Sequence, residues 1–260
     1  MKNSKANIYE RQQKMLQHIR KNKSANISDL AEIFKVTPIT IRRDLTYLEE
    51  KGYVKRFFGG VKSLLPPDID EVPTSGINDP NSLIRMKIAM KATEMIKDGD
   101  TIFMNSSSTA LLMMKYLKNK SVLIVTNNGR ALFSKRDPQI ELILTGGEVY
   151  GQKKSLVGEF ALNVLYKITA TKCILGVSGI SVEGGITSNV IQETAINQLM
   201  LQRCSGEKIV LADGSKIGTN QNFFSGNISD ITHLITDTTA SKKELDLSQE
   251  QGIQVILSDL

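Results

Sequence analysis

The sequence predicts an α/β chain in two parts: a small basic module of helices and a short hairpin at residues 1–63, and a larger body at 81–260 in which apolar strands alternate with helices. Three observations carry that expectation: charge is unevenly spread, prolines gather at one place, and the hydrophobic period changes beyond it. Residues 1–63 hold 14 Lys/Arg against 6 Asp/Glu, net +8, while 64–260 hold 19 against 21, net −2, which together give the formal +6. Pro66, Pro67, Pro73 and Pro80, four of the six prolines, fall between Ser63 and Pro80 with Asp68, Asp70 and Glu71. Proline and acidic residues disfavour regular structure, so 64–80 reads as a semi-rigid linker.

A hydrophobic fraction of 40% over 260 residues is ample for a buried core. No run of about 18 uncharged apolar residues occurs, so no membrane span is expected. Residues 1–11 are polar and carry no apolar signal core. Cys173 and Cys204 stand apart, without CxxC or Cys/His spacing. They read as buried small hydrophobes in a reducing compartment, the cytoplasm, and neither a metal site nor a cofactor is expected. A basic module on a near-neutral body points to a polyanion, with double-stranded DNA as the natural partner. A basic solubilising arm is the plain alternative.

In the module, Tyr9 to Lys21 reads as a first helix with Met15, Leu16 and Ile19 as a partial apolar stripe; His18 on it reads as a surface or packing residue. Ser28 reads as the cap of a second short helix, Asp29 to Phe34, with Asp29 favourable in its first turn and Leu30, Ile33 and Phe34 facing the core. Lys35-Val36 makes a tight turn. Thr37 then caps a third helix with its hydroxyl, and Pro38 fits the first helical position, where no N–H is needed. Ile41, Leu45 and Leu48 share one apolar face, while Ile39, Arg43 and Thr46 point the opposite way with Arg42 and Tyr47 beside them. The helix ends near Lys51, and Gly52 supplies the residue past its end. Tyr53 to Phe58 alternates like a strand, Gly59-Gly60 can turn, and Val61-Lys62 returns, which makes a wing.

Two short helices joined by a tight turn, followed by a wing, form a winged helix-turn-helix domain. Arginine forks read guanine edges, and an aliphatic group touches a thymine methyl. The expected DNA-facing set is Ser28, Thr37, Ile39, Thr40, Arg42, Arg43, Thr46 and Tyr47, with Gly60 and the phosphate-holding Lys55 and Arg56 in the wing. For the third helix alone, an ordinary amphipathic surface helix is an equal alternative; for Lys55 or Arg56 alone, so is a solvated strand edge.

Leu30-Ala31, Val36-Thr37, Thr40-Ile41-Arg42-Arg43-Asp44-Leu45, Leu48-Glu49, Gly52 and Arg56 followed by Gly59-Gly60 resemble the N-terminal domain of DeoR-family transcriptional regulators. The run from Thr40 to Leu45 with the downstream arginine and glycine pair is far more specific than a generic helix-turn-helix pattern. Two positions depart from it: the usual serine before the recognition helix is Thr37, and the usual histidine before the glycines is Phe58.

In the body, Thr101–Met104, Val122–Val125, Ile140–Leu144, Cys173–Gly176, Lys208–Ala212, His233–Thr236 and Ile253–Leu257 are expected strands. Their nearly unbroken apolar character suits a parallel sheet covered on both faces. Leu83–Lys97, Thr109–Lys118, Leu156–Tyr166 and Gln192–Arg203 are expected helices, giving a layered α/β domain. Such sheets bind ligands beyond the C-terminal ends of their strands. Those ends are polar here. Asn105, Ser106, Ser107, Ser108 and Thr109 open a helix whose free N–H groups suit an anion. Thr126 and Asn127 end the second strand, and Gly146 and Gly147 the third. Gly185, Thr187 and Glu193 follow the fourth; Asp213 and Lys216 follow the fifth, Lys216 for a phosphate or sugar oxygen and Asp213 to orient it. Each stretch alone is also what a cap or turn requires. Together they suggest one pocket for a small, hydroxyl-rich anion.

From about Lys87 to Asp237 the same chain resembles the DeoR-family sensor domain, through Gly99-Asp100-Thr101, Ser108-Thr109, Thr126-Asn127, Gly146-Gly147, Val157-Gly158, Gly185 with Thr187, Glu193, Asp213 with Ser215-Lys216, and Ile235-Thr236-Asp237. The resemblance implies a fold similar to ribose-phosphate isomerases and CoA transferases. It also implies a phosphorylated-sugar effector, repression of a carbohydrate-utilisation operon, and release from the operator when the effector binds. Three pocket positions depart from the family pattern: its aspartate is Asn105, its glycine is Ser107, and its Lys-Arg pair is Asn197-Gln198. Asn105 cannot act as a general base, so an enzyme is not expected. Operator half-sites imply symmetry and hence a homo-oligomer, a dimer or tetramer. Two other readings stay open: a sugar-phosphate isomerase or transferase with a DNA-binding arm, and a regulator whose ligand site is lost or altered.

Overall fold

The computed structural model describes residues 11–63 except 13, 17, 20, 21, 51, 52 and 58, then residues 80–151 and 154–258. The chain divides into two compact units between residues 71 and 72. The proline-rich stretch 64–79, Gly52, Phe58 and the outer ends of the expected first helix lie outside the described residues. Among the described residues, no helix is long and apolar enough to cross a membrane.

The first unit opens with helix α1, whose described residues are 11, 12, 14–16, 18, 19 and 22. Strand β1 (Ser24–Asn26) follows, then α2 (Ile27–Ile33), α3 (Pro38–Glu50), β2 (Val54–Phe57) and β3 (Gly60–Ser63). The strands make an antiparallel sheet in the order β1-β3-β2. Met15, Leu16, Ile19, Leu30, Ile41, Leu45, Leu48, Val54 and Val61 form one core, so the apolar stripe of α3 faces inward as its spacing predicts.

Three local expectations are corrected. Helix α2 starts at Ile27, two residues earlier than a Ser28 cap requires, because the chain enters it directly from β1 with Asn26 at the cap position. Ser28 lies inside the first turn and donates to Asp29 Oδ1. Ile33 is 50% exposed, so only Leu30 of α2 is fully buried. The hairpin register pairs Phe57 with Gly60, which puts Gly60 in the strand rather than in the turn. Gly59, at φ +84, supplies the left-handed turn residue. Gly60 has a different reason: a Cβ there would meet the Phe57 ring at 2.7 Å and the Ala25 carbonyl at 2.9 Å.

The second unit is built on seven parallel strands in the order β15-β14-β12-β9-β4-β5-β6: β4 Thr101–Met104, β5 Val122–Thr126, β6 Ile140–Leu144, β9 Ala170–Gly176, β12 Cys204–Leu211, β14 His233–Asp237 and β15 Gln254–Ser258. All seven expected strands form, four of them one to three residues longer than their apolar runs and β15 shifted by one residue. Alternate side chains feed two cores. Ile102, Met104, Ile174 and Ile209 join α4 (Pro80–Thr93) and α5 (Ser108–Tyr116) on one face. Phe103, Cys173, Leu175 and Val210 join α6 (Glu159–Tyr166) and α7 (Ile191–Gln202) on the other. The two-face cover explains why the strands read as unbroken apolar runs. Cys173 and Cys204 are buried free thiols, and burial pushes the Cys173 thiol well above its ordinary pKa.

The expected helix Leu156–Tyr166 is split. Gly158 sits at φ 85, ψ −177, a conformation open to glycine alone, so Ser155–Val157 becomes strand β8, paired with β7 (Glu148–Tyr150), and the helix starts at Glu159. A second small antiparallel sheet, β10 (Gly179–Ser181), β11 (Gly185–Ser188) and β13 (Phe223–Gly226), and the polar helix α8 (Lys242–Glu250) complete the unit.

Candidate functional site: a recognition helix and a strand-end cleft

Thr37 Oγ1 accepts the Thr40 N–H at 3.3 Å, so the threonine caps α3 as its sequence position predicts. Beyond the cap, Ile39 is 70% exposed, Arg42 and Arg43 are exposed, Thr46 is half-buried and Tyr47 is exposed. The next wall of the helix is inward: Asp44 is buried, and its carboxylate takes Arg11 Nε at 2.7 Å and Gln12 Nε2 at 3.0 Å from α1. That pair ties the first helix to the back of the recognition helix. In the wing, Lys55 is exposed. Arg56 is already engaged: its N–H and Nε donate to Glu49, and Nη1 donates to Thr46 Oγ1 at 3.1 Å. Asp44 and Glu49 were not among the expected functional residues. Their signal was present, since each puts an acid on a helix meant for a polyanion.

In the second unit, a cleft of about 430 Å³ opens at the C-terminal strand ends. Of the expected effector residues, Asn105, Ser106, Ser107, Ser108, Thr187, Glu193 and Lys216 line it. The Glu193 carboxylate is buried and accepts Ser106 Oγ at 2.9 Å and Ser155 Oγ at 2.5 Å, both on Oε1. Lys216 Nζ stands 3.3 Å from Asp213 Oδ2, with the lysine 27% and the aspartate 5% exposed. The short helical turn Gly214–Lys216 that carries this lysine is held from below. Asp237 Oδ2 accepts the Gly214 N–H at 2.6 Å, and Oδ1 accepts the Thr239 N–H and hydroxyl. Burial pushes the Asp237 carboxyl up, but those hydrogen bonds outweigh it, and the group settles below its ordinary pKa.

The floor of the cleft is an amide network. Asn105 Oδ1 accepts the Gly176 N–H at 3.0 Å and the Ser107 N–H at 3.3 Å. Asn105 Nδ2 donates to Gly176 O at 2.9 Å and to Asn197 Oδ1 at 3.1 Å, and Asn197 Nδ2 donates to Ser225 Oγ. The two departures at 105 and 197 therefore meet in space as a neutral pair. Ser107 Oγ accepts the N–H groups of Thr109 and Ala110 at 3.2 and 3.4 Å and so caps α5.

The remaining expected effector residues stand behind the cleft wall rather than in it. Thr109 is buried in α5. Thr126 Oγ1 accepts the Asn128 N–H at 3.0 Å, and Asn127 Nδ2 donates to Leu156 O. Gly146 and Gly147, at φ +65 and +103, turn the chain out of β6; a Cβ on Gly147 would lie 2.4 Å from Val157 O. At Gly185, φ +68, an added Cβ would lie 2.4 Å from Gly226 O. Asp213 sits beneath Lys216. The cleft wall adds Asn128, next to the expected Asn127, and Arg130, Ser178, Ser188 and Asn189, which were not among the expected residues. Asn128 Oδ1 accepts the Arg130 N–H and thereby aims the arginine's turn, and burial pulls the Arg130 pKa down. Polar residues just past strands β5, β9 and β11 were the available signal.

A folded module with an exposed arginine-bearing helix, joined to a parallel-sheet unit with a polar strand-end cleft, has the make-up of a ligand-responsive DNA-binding protein. Residues 11–66 match the DeoR-like helix-turn-helix domain and residues 81–238 the DeoR C terminal sensor domain. The chain belongs to the DeoR family of helix-turn-helix transcriptional regulators. It is 31% identical to the HTH-type transcriptional regulator GolR of Listeria innocua over 256 residues, covering 96% of this chain and 99% of that protein. It is 30% identical to the lactose phosphotransferase system repressor of Streptococcus mutans over 243 residues, 92% of this chain and 96% of that one. Ribose 5-phosphate isomerase A of Methanocaldococcus jannaschii is similar over 52% of this chain and 54% of its own, at 17% identity and a TM-score of 0.38.

Proposed function

We propose that this regulator represses a carbohydrate-utilisation operon and leaves its operator when a phosphorylated sugar fills the strand-end cleft. The observation that carries the effector class is the pairing, around one cleft, of two cations with a buried carboxylate and hydroxyls. Arg130 and Lys216 suit a phosphate; Glu193, held by two serines, and Thr187, Ser188 and Asn189 suit sugar hydroxyls. On the DNA side, Thr37 to Tyr47 read base edges and Lys55 holds a phosphate, with two copies of the chain on symmetric half-sites. Isomerase turnover is not expected. Asn105 is an amide bound on both sides and cannot take a proton as a base.

The test is a thermal midpoint panel of sugar phosphates against the matching free sugars. A ligand at about 100 times its dissociation constant adds about 2.7 kcal/mol, a plain midpoint shift. A shift with a phosphorylated sugar, absent with the free sugar and lost in Arg130→Ala or Lys216→Ala, supports the reading; a shift with the free sugar alone sinks it. A second reading, an altered ligand, is favoured by the Asn105–Asn197 floor, which is satisfied internally and offers the ligand no charge. On that reading, a sugar phosphate outside the common pentose and hexose set gives the largest shift.

A further inference from the structure

Glu49 lies on α3 three residues after Thr46 and seven after Arg42, on the same side of the helix. Its carboxylate takes two hydrogen bonds from one wing residue, the Arg56 N–H at 2.9 Å on Oε1 and Arg56 Nε at 2.7 Å on Oε2. The same guanidinium reaches Thr46 Oγ1 through Nη1 at 3.1 Å, and Thr46 Oγ1 donates to the Arg42 carbonyl at 2.9 Å. Strand β2 is thus tied to the exposed stripe of the recognition helix through Arg56, held by the Glu49 carboxylate and the Thr46 hydroxyl, and Arg42, Glu49, Arg56 and Phe57 border one shallow recess there. Both charged side chains reach solvent, at 39% and 34% exposure for Arg56 and Glu49. The Arg56 contacts, its N–H foremost, hold the Glu49 carboxyl below its ordinary pKa, so it is ionised at neutral pH.

A carboxylate beside a phosphate backbone is unfavourable unless a cation is kept next to it. An arginine whose Nε is spent on that carboxylate, in turn, contributes little net charge to DNA. We propose that Glu49 is a positioning residue for DNA binding: it holds the Arg56 guanidinium across Thr46, fixes the wing against the recognition helix, and withholds one positive charge from indiscriminate phosphate contact. Specific binding gains a rigid wing, and non-specific binding loses one counterion-releasing contact.

The inference rests on the DNA-binding reading, and its test separates the two. The full chain selects a duplex from a random library, and anisotropy then measures affinity for that duplex and for a scrambled one across a salt series. Freeing one phosphate-seeking charge steepens the log-affinity against log-salt slope by about 0.9. Scrambled-duplex binding by Glu49→Gln should therefore fall about 3.5-fold more than wild type between about 50 and 200 mM salt. The preference for the selected duplex should drop in Glu49→Gln and further in Glu49→Ala, which also loses the acceptor for the Arg56 N–H. Adding Arg56→Gln to Glu49→Gln should remove the extra slope, which a merely structural role for Glu49 would not produce. Far-UV spectra and thermal midpoints, expected to match wild type for this solvent-exposed pair, verify the fold. An unchanged slope and preference in Glu49→Gln overturns the proposal. A wild-type chain that enriches no duplex and binds DNA without salt dependence overturns both it and the DNA-binding reading.

Discussion

Replacing Asp44 by alanine should melt the DNA-binding unit and leave the sensor unit standing. Asp44 is on α3, but its side chain points at α1, where the Arg11 guanidinium and the Gln12 amide both donate to it. Its side chain is 3% exposed, and that of Arg11 14%. Removing one member of a buried ion pair costs about 3–5 kcal/mol, because the partner stays buried and unpaired. Arg11 keeps some access to water, so the lower end, about 3 kcal/mol, is the expected cost. A domain of this size rarely has more than about 3–5 kcal/mol in hand, so the substitution consumes most of its stability. Converted at about 4–8 °C per kcal/mol, the midpoint of the first unit falls by about 12–24 °C. The assay is thermal unfolding by far-UV circular dichroism of wild type, Asp44→Ala and Asp44→Asn, with duplex binding measured in parallel. Asp44→Asn keeps an acceptor and should lose less. The lower transition should move while the sensor transition stays, and binding should disappear above the new midpoint. A shift of under about 4 °C, or equal shifts in both transitions, would refute the claim that this pair anchors α1 to the recognition helix.

Other expectations follow from the same geometry. Arg43→Ala should cost about 1–3 kcal/mol on the selected duplex and relax preference at one base position; an equal loss on every sequence would assign Arg43 to the backbone instead. Gly147→Ala should destabilise the sensor unit by at least about 1 kcal/mol, because the residue sits at φ +103 and the new Cβ would fall 2.4 Å from Val157 O, an outcome read by urea unfolding. The Asp237 carboxyl lies below its ordinary pKa, so its contribution is full above the unfolded value of about 3.9 and fades as pH falls through the lower folded one. The stability gap between wild type and Asp237→Asn should hold from neutral pH to about 5 and close on further acidification.

The large elements were legible because their burial is simple. The five inner strands of the parallel sheet are covered on both faces, so their apolar runs show without help from neighbours, while the edge strands β6 and β15 bury one face and leave Ile143 and Leu257 partly exposed. Thr37, Pro38 and the Ile41, Leu45 and Leu48 stripe marked α3 within a residue of its observed ends, because cap, first position and core face all agree. The misses have a common cause in tertiary pairing. Strand β1 exists only because Ser24–Asn26 pairs with β3, and that pairing sets the start of α2 upstream of Ser28, with Asn26 at the cap position. Gly158 ended an apolar run that looked helical throughout. Helix α8 packs Leu245 inward and is otherwise too polar to show a stripe. In the cleft, seven residues named from the strand ends line the wall, while Thr126, Asn127 and the glycines turned out to shape it from behind. Composition could not separate those two roles, since a polar residue past a strand either faces the ligand or holds the loop that does. The meeting of Asn105 with Asn197, 92 residues apart, was likewise beyond reach of the sequence.

The most direct test of effector control is release from DNA. The full chain is bound to its selected duplex and titrated, by anisotropy, with phosphorylated sugars and with the matching free sugars. Release by a phosphorylated sugar, absent with its free counterpart and abolished by Lys216→Ala while duplex affinity without ligand is kept, is the expected result. Binding that persists through the whole panel, with no thermal shift in the sensor unit, would contradict it.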